Sequence, residues 1–191
     1  MTSQSAIHPT LSSELWKSNS FQRNLVLVFV GVVLLTISAK AKIPFYPVPV
    51  TMQTFVVLCL GLVYGPALAI GSVLSYLLVG ALGMPVFANP GAGIGYLVGP
   101  TGGFLIGFVI AAGITGRLAE MGWDRTWYTT FLAMLIGNIA IYIPGILWLG
   151  SFIGWEKPVL SIGLYPFVLG DLAKIVLAMV AIPAAWKAIK K

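Results

Sequence analysis

Asp171 and Lys174 stand three residues apart in Gly170-Asp171-Leu172-Ala173-Lys174 and are the only charged residues between Pro158 and Trp186. That spacing puts both on one helical face, where each partly neutralises the other. In an apolar span a single charge costs about 2.5–3.5 kcal/mol on insertion scales, so such a pair marks a ligand, ion or proton site by default. The chemistry on offer is recognition of a small polar group, with an acceptor carboxylate beside a donor ammonium. The competing reading is a self-compensating pair that locks two helices together.

Further candidates lie in two Gly/Pro-rich stretches and one apolar run. Ile43-Pro44-Phe45-Tyr46-Pro47-Val48-Pro49-Val50 is held extended by its prolines and presents Phe45 and Tyr46 as an apolar wall. Gln53, just beyond it, offers both a donor and an acceptor. The segment from Pro85 to Gly95 adds Phe87, Asn89 and glycines that permit close backbone approach, with Tyr96 directly after. Asn89 is equally a common turn residue. Tyr142 and Asn138 fall in an uncharged run, where either a ligand or a neighbouring helix can take their hydrogen bonds. Aromatic walls with a few convergent polar groups describe a small-molecule pocket.

The elements that must position these residues are membrane helices. The chain is 59% hydrophobic and 8% charged, against about 25% charged for an ordinary soluble domain. No Asp, Glu, Lys, Arg or His occurs from Ile43 to Gly116, or from Thr126 to Trp155. A spanning helix needs roughly 20 apolar residues, so the expected fold class is an all-α integral membrane protein. Six spans are predicted: Phe21 to Lys40, a short one from Thr51 to Tyr64, a third from the Gly65-Pro66 turn to Leu82, then Thr101 to Met121, Trp127 to Ser151, and Ser161 to Lys187. Residues 1–20 read as a polar, poorly ordered tail and 21–191 as one membrane domain with ordered outward loops. Ala39-Lys40-Ala41 resembles a signal-peptide cleavage site, but the long polar stretch before the first span and the later spans argue against cleavage.

Charge placement orients the chain. With the N-terminus cytoplasmic, the inside segments hold Lys17, Arg23, Arg117, Arg125, Lys187, Lys190 and Lys191, against Lys40, Lys42 and Lys157 outside. Both termini are therefore expected inside. The sixth span then enters from the outer face, which puts Asp171 about 7–17 Å below its start. Two stripes of small residues repeat every four positions: Gly99, Gly103, Gly107, Ala111 and Thr115, and Ala67, Gly71 and Ser75. Small residues at that interval let helices approach closely in lipid, which serves internal packing or docking of a partner helix.

Composition also excludes. The basic residues form no continuous face, so no nucleic-acid partner is expected. Cys59 is the only cysteine and His8, in the polar tail, the only histidine, which leaves no metal site and no nucleophile–base pair within a span. No enzyme activity and no cofactor are expected. Gly91, Gly93 and Gly95 do not follow the dinucleotide pattern, and Gly99-Pro100-Thr101-Gly102-Gly103 lacks the Lys-Ser/Thr of a phosphate loop. Any ATP-driven step must come from another subunit.

Four motifs then fall in a familiar order: Pro47-Val48-Pro49-Val50-Thr51-Met52-Gln53-Thr54, Gly83-Met84-Pro85-Val86-Phe87-Ala88, Gly99-Pro100-Thr101-Gly102-Gly103 and Gly170-Asp171-Leu172-Ala173-Lys174. From about Leu25 to Ile189 the chain resembles BioY, the biotin-binding S component of energy-coupling factor (ECF) transporters. The resemblance implies a six-helix S-component fold in a prokaryotic cell membrane, high-affinity capture of biotin from outside, and work with a transmembrane coupling protein and two cytoplasmic ATPases. It implies substrate contacts at Asp171, Lys174 and Asn89, with Gln53, Phe45, Tyr46, Phe87 and Tyr142 as further contributors. Asp171 is expected to accept from the ureido N–H groups of biotin, and Lys174 to donate to its carbonyl or carboxylate. The Ala-x-x-x-Ala dock that many S components carry in helix one has no clear copy between Leu25 and Ala39. Without the resemblance, a stand-alone or proton-coupled carrier for a small organic solute fits the same residues, with Asp171 titrating. A purely structural membrane subunit leaves the outward loops and the buried pair unexplained.

Overall fold

Helix α2 (Phe21–Lys40) starts where Ser20 caps it, its hydroxyl accepting from the Arg23 backbone N–H at 3.2 Å. A two-rung hairpin follows, β1 (Lys42–Ile43) paired antiparallel with β2 (Val50–Thr51), so that Lys42 faces Thr51. Helices α3 (Gln53–Tyr64) and α4 (Pro66–Ala81) fold back on each other at Gly65. Gly65 has φ +79°, a conformation that favours glycine, and Pro66 begins the new helix where its missing N–H costs nothing. The remaining elements are a short α5 (Ile94–Leu97), long α6 (Gly102–Glu120) and α7 (Trp127–Ile153), a one-turn α8 (Val159–Gly163) and α9 (Tyr165–Ile189). This computed structural model describes residues 8–18, 20–89 and 91–189. Residues 1–7 of the expected tail, and Lys190 and Lys191 of the orientation count, lie outside them.

The chain is a multi-pass membrane protein. Among the described residues, four apolar segments are long enough to cross a bilayer: α2, α6, α7 and the 31-residue stretch Val159–Ile189. Their outward faces carry exposed apolar side chains such as Phe29, Ile37, Ile143 and Val180, which lipid rather than water must cover. Two helices are shorter: α3, in the span expected to be short, and α4. With 12 residues, α3 covers about 18 Å, and α4 with 16 covers about 24 Å. A hydrocarbon core is about 30 Å thick, so α3 stops roughly 12 Å short of crossing it. The irregular backbone of the β1–β2 hairpin, directly before α3, lines a cavity, the setting in which such backbone is tolerated at membrane depth.

Helices α6 and α7 pack with their backbones almost touching. A Cβ on Gly103 would lie 2.3 Å from Trp148 Cβ and 2.4 Å from the Pro144 carbonyl, and one on Gly107 would lie 2.7 Å from the Ile141 carbonyl. The Trp148 indole N–H donates to the Gly99 carbonyl at 2.9 Å, and Ala111 continues the same buried seam. This stripe is used inside the molecule. The α4 stripe behaves differently: Ala67 is exposed, Gly71 meets only Val28 at 3.7 Å, and Ser75 edges an apolar groove against α2. The close α2–α4 contact falls one residue over, where a Cβ on Gly31 would lie 2.5 Å from Ser72 Oγ.

Part of the expected poorly ordered tail is folded. Residues Leu11–Leu15 form α1, with Leu11 buried, and Arg23 donates to the Ser12 carbonyl at 2.7 Å. The His8 N–H bonds to the Glu120 carbonyl at 2.8 Å, and Arg125 donates to the Pro9 carbonyl at 2.7 Å. These contacts gather α1, the α3–α4 turn, the α6–α7 loop and the end of α9 at one pole. Arg23, Arg117, Arg125 and Lys187 belong to that pole. Lys40, Lys42, the hairpin, α5 and α8 belong to the other.

Candidate functional site

The polar centre of the molecule is built by α3, α7 and α9 around Asp171, which lies six residues, or about 9 Å, into α9. Its Oδ1 accepts from Lys174 Nζ at 2.9 Å and from the Thr54 hydroxyl at 3.1 Å, and its Oδ2 accepts from the Tyr142 hydroxyl. Lys174 also donates to the Thr51 carbonyl at 2.7 Å and to Thr54 Oγ1 at 2.9 Å. All three ammonium protons are therefore engaged. Both charges are buried, with side-chain exposures of 9% for Lys174 and 7% for Asp171. Three helices and the hairpin converge on one ion pair.

A cleft with an interior of about 50 Å³ opens directly against this centre, lined by apolar walls and a few convergent polar groups. Thr51, Gln53, Thr54, Thr101, Tyr142 and Lys174 supply its polar surface. Phe104, Leu105 and Phe108 of α6, Ile141 of α7 and Phe167 of α9 form apolar walls. Val48 and Pro49 from the hairpin loop, with Ala88 from the opposite loop and Tyr96 from α5, complete the enclosure. Gln53 is fixed by donating to the Tyr76 hydroxyl at 2.9 Å, which in turn donates to the Val86 carbonyl at 3.2 Å.

The sequence candidates divide into those that face the cleft and those that support it. Lys174, Gln53 and Tyr142 line it. Asp171 does not: it sits behind Lys174, Thr54 and Tyr142, with both oxygens turned to these protein donors. Phe87 is fully buried and stacks on Tyr96 at 4.3 Å between ring centroids, so Tyr96 is the face presented. Asn89 stands outside the lining; its Oδ1 accepts from Lys42 at 3.3 Å and its backbone N–H meets the Tyr96 hydroxyl at 3.4 Å. Phe45 packs edge-on against Phe167 at 6.4 Å, while Tyr46 is 90% exposed and makes no wall. Tyr46 lies at the loop apex, where the prolines carry its ring away from the bundle.

Several lining residues have no counterpart among the sequence candidates. Thr51 ends β2 and Thr54 lies in the first turn of α3, so both sit at the hairpin–helix junction. Phe167 lies one turn before Asp171, and Phe104 and Phe108 are one turn apart on α6. Helical spacing from a known anchor was the available signal for Phe167. Only the tertiary fold brings Thr54 to Asp171, 117 residues away.

The BioY family matches residues 9–191. This chain belongs to the BioY family. Relatives include the probable biotin transporter BioY of Pyrococcus horikoshii, 39% identical over 83% of this chain and 93% of that protein. The biotin transporter BioY of Thermotoga maritima is 38% identical over 82% of this chain and 91% of its own length. The fold matches the 2.1 Å crystal structure of an S component for biotin from an ECF-type ABC transporter, with a TM-score of 0.74 and 22% identity, over 89% of this chain and 95% of that one. The S-component fold expected of this BioY protein is thereby shown, and the cleft of this member lies between the loops and the Asp171–Lys174 centre.

Proposed function

We propose that this chain captures biotin and passes it across the cell membrane as the substrate-binding S component of an ECF-type ABC transporter. The observation that carries the reading is the cleft closed by two loops, with a buried, fully hydrogen-bonded lysine in its wall. Family membership and the names of the relatives support the choice of biotin.

Biotin offers an apolar bicycle and alkyl chain between two polar ends, a ureido group and a carboxylate. Phe104, Phe108, Phe167 and Tyr96 suit the apolar part. Lys174 and Tyr142 supply donors, and Gln53 Oε1 and the Thr54 hydroxyl supply acceptors. Because Lys174 has no free proton, the ligand takes the place of one of its two neutral partners, the Thr51 carbonyl or the Thr54 hydroxyl. Asp171 keeps the ammonium aimed during that exchange, a positioning role in place of direct acceptance from the ureido group. The loop-bearing pole faces outward and both termini face the cytoplasm, in line with the basic residues at the α1 pole. A transmembrane coupling protein and two cytoplasmic ATPases supply the energy.

Uptake of labelled biotin into proteoliposomes tests this. With a reconstituted coupling module, uptake should require ATP and survive collapse of the proton gradient. Uptake that is lost with the proton gradient and indifferent to ATP would transfer the function to a proton-coupled carrier with Asp171 as its titrating group.

A further inference from the structure

Two lysines, Lys40 at the end of α2 and Lys42 at the start of β1, hold a loop that encloses the cleft. Lys40 Nζ donates to the Phe87 carbonyl at 2.6 Å. Lys42 Nζ donates to the Ala88 carbonyl and, at 3.3 Å, to Asn89 Oδ1. Two ammonium groups thus grip the carbonyls of consecutive residues, one of which, Ala88, forms part of the cleft wall. Among the described residues neither lysine has a carboxylate partner. Both charges are spent on neutral oxygens of the 83–89 segment, and no other hydrogen bond among the described residues ties that segment to α2 or the hairpin. Lys42 is also the hairpin residue paired with Thr51, whose carbonyl accepts from Lys174. The loop and the ligand-facing ammonium are therefore joined through a single hairpin rung.

We propose that Lys40 and Lys42 form a latch that keeps the 83–89 segment closed over the cleft and sets how long a ligand stays inside. The proposal takes its ligand from the biotin reading, but its geometry is independent of it. Charge-assisted hydrogen bonds to carbonyls are stronger than neutral ones, yet they break without leaving an unpaired charge wherever water can reach the ammonium. Lys40 is exposed and Lys42 half-buried, which suits a contact that must open.

The test compares Lys40→Met/Lys42→Met with the unaltered protein in detergent, using variants that keep the aliphatic stems and leave every cleft-lining residue in place. Biotin dissociation, followed by chase of labelled ligand, should accelerate about tenfold or more for the loss of these bonds, with association unchanged. Hydrogen exchange of the backbone amides of 86–89 in ligand-free protein should accelerate in parallel. Lys42→Arg should restore slow dissociation. Unchanged dissociation in the double variant overturns the latch. So does slower, salt-sensitive association with unchanged dissociation, because the lysines would then steer the ligand's carboxylate rather than hold the loop. If the double variant does not fold, Lys42→Met against Lys42→Arg gives the same comparison. Should the unaltered protein bind no biotin, faster exchange at 86–89 keeps the latch and rejects the biotin reading, whereas unchanged exchange rejects the latch itself.

Discussion

Removing one member of the Asp171–Lys174 pair should cost more than removing both. The two charges are 2.9 Å apart, with side-chain exposures of 7% and 9%. At an effective dielectric of about 20 their attraction is about 332/(20 × 2.9), or about 6 kcal/mol, before any desolvation is charged against it. Stripping one partner from a buried pair leaves an uncompensated charge and typically costs about 3–5 kcal/mol, whereas replacing both by neutral groups of similar shape is often nearly neutral. Asp171→Asn leaves the Lys174 ammonium without a counter-charge. Lys174→Met leaves a carboxylate held only by the Thr54 and Tyr142 hydroxyls. We therefore predict that each single variant loses about 3–5 kcal/mol of stability, and that the double variant Asp171→Asn/Lys174→Met recovers most of it. Denaturant unfolding in a fixed detergent, with the four proteins compared as a double-mutant cycle, measures the coupling. Biotin binding should fall in all three variants, which separates the stability effect from the ligand effect. Single effects that add to within about 0.5 kcal/mol would refute the reasoning, since they would show that the two charges do not depend on each other.

Other expectations follow from the packing. Gly107→Leu should destabilise by about 1–3 kcal/mol or more, because its Cβ alone would meet the Ile141 backbone at 2.7 Å. Gly71→Ala, with Val28 at 3.7 Å, should leave the same unfolding assay unchanged. Phe167→Ala removes a cleft wall and should weaken biotin binding by roughly the 1.5–3 kcal/mol of a buried aromatic, whereas Tyr46→Ala should leave the dissociation constant as it is. At the opposite pole Asp124 is fully buried, with Oδ2 accepting from the Trp186 indole at 2.6 Å and Oδ1 from Arg125 at 3.2 Å. Burial pushes its carboxyl above the ordinary Asp value, against the opposing pull of Trp186 and Arg125. Between the ordinary and the raised value the folded state binds more protons than the unfolded one, so stability should decline as pH rises through that window. Asp124→Asn should flatten that part of the unfolding profile.

What the sequence disclosed depended on distance along the chain. The α2 boundaries and the existence of α6, α7 and α9 follow from apolar runs that few other structures accommodate. The Asp171–Lys174 pair is local, three residues within one helix, and both its burial and its isolation from other charges are visible in the sequence. The partners of that pair are not local. Thr54 and Tyr142 reach Asp171 from other helices, and no periodicity in α3 or α7 announces it. Asp171 itself was expected to face the ligand. Its position behind Lys174 follows from rotamer and packing, which a spacing rule does not encode. Lys40 and Lys42 counted against the orientation as stray outside charges. Their bonds to Phe87 and Ala88 give them a use that only the folded loop displays. Residues 8–15 illustrate the same limit: a polar tail by composition becomes a packed segment because Leu11 is buried against the core and Arg23 and Arg125 find carbonyls.

The central claim is that the chain alone binds biotin in the cleft beside Lys174. Titrating biotin into the detergent-purified protein, by calorimetry or tryptophan fluorescence, tests it most directly. The account predicts one-to-one binding with a nanomolar dissociation constant, lost in Lys174→Met and retained in Tyr46→Ala. No binding by protein that unfolds cooperatively, or binding that Lys174→Met leaves intact, would contradict it.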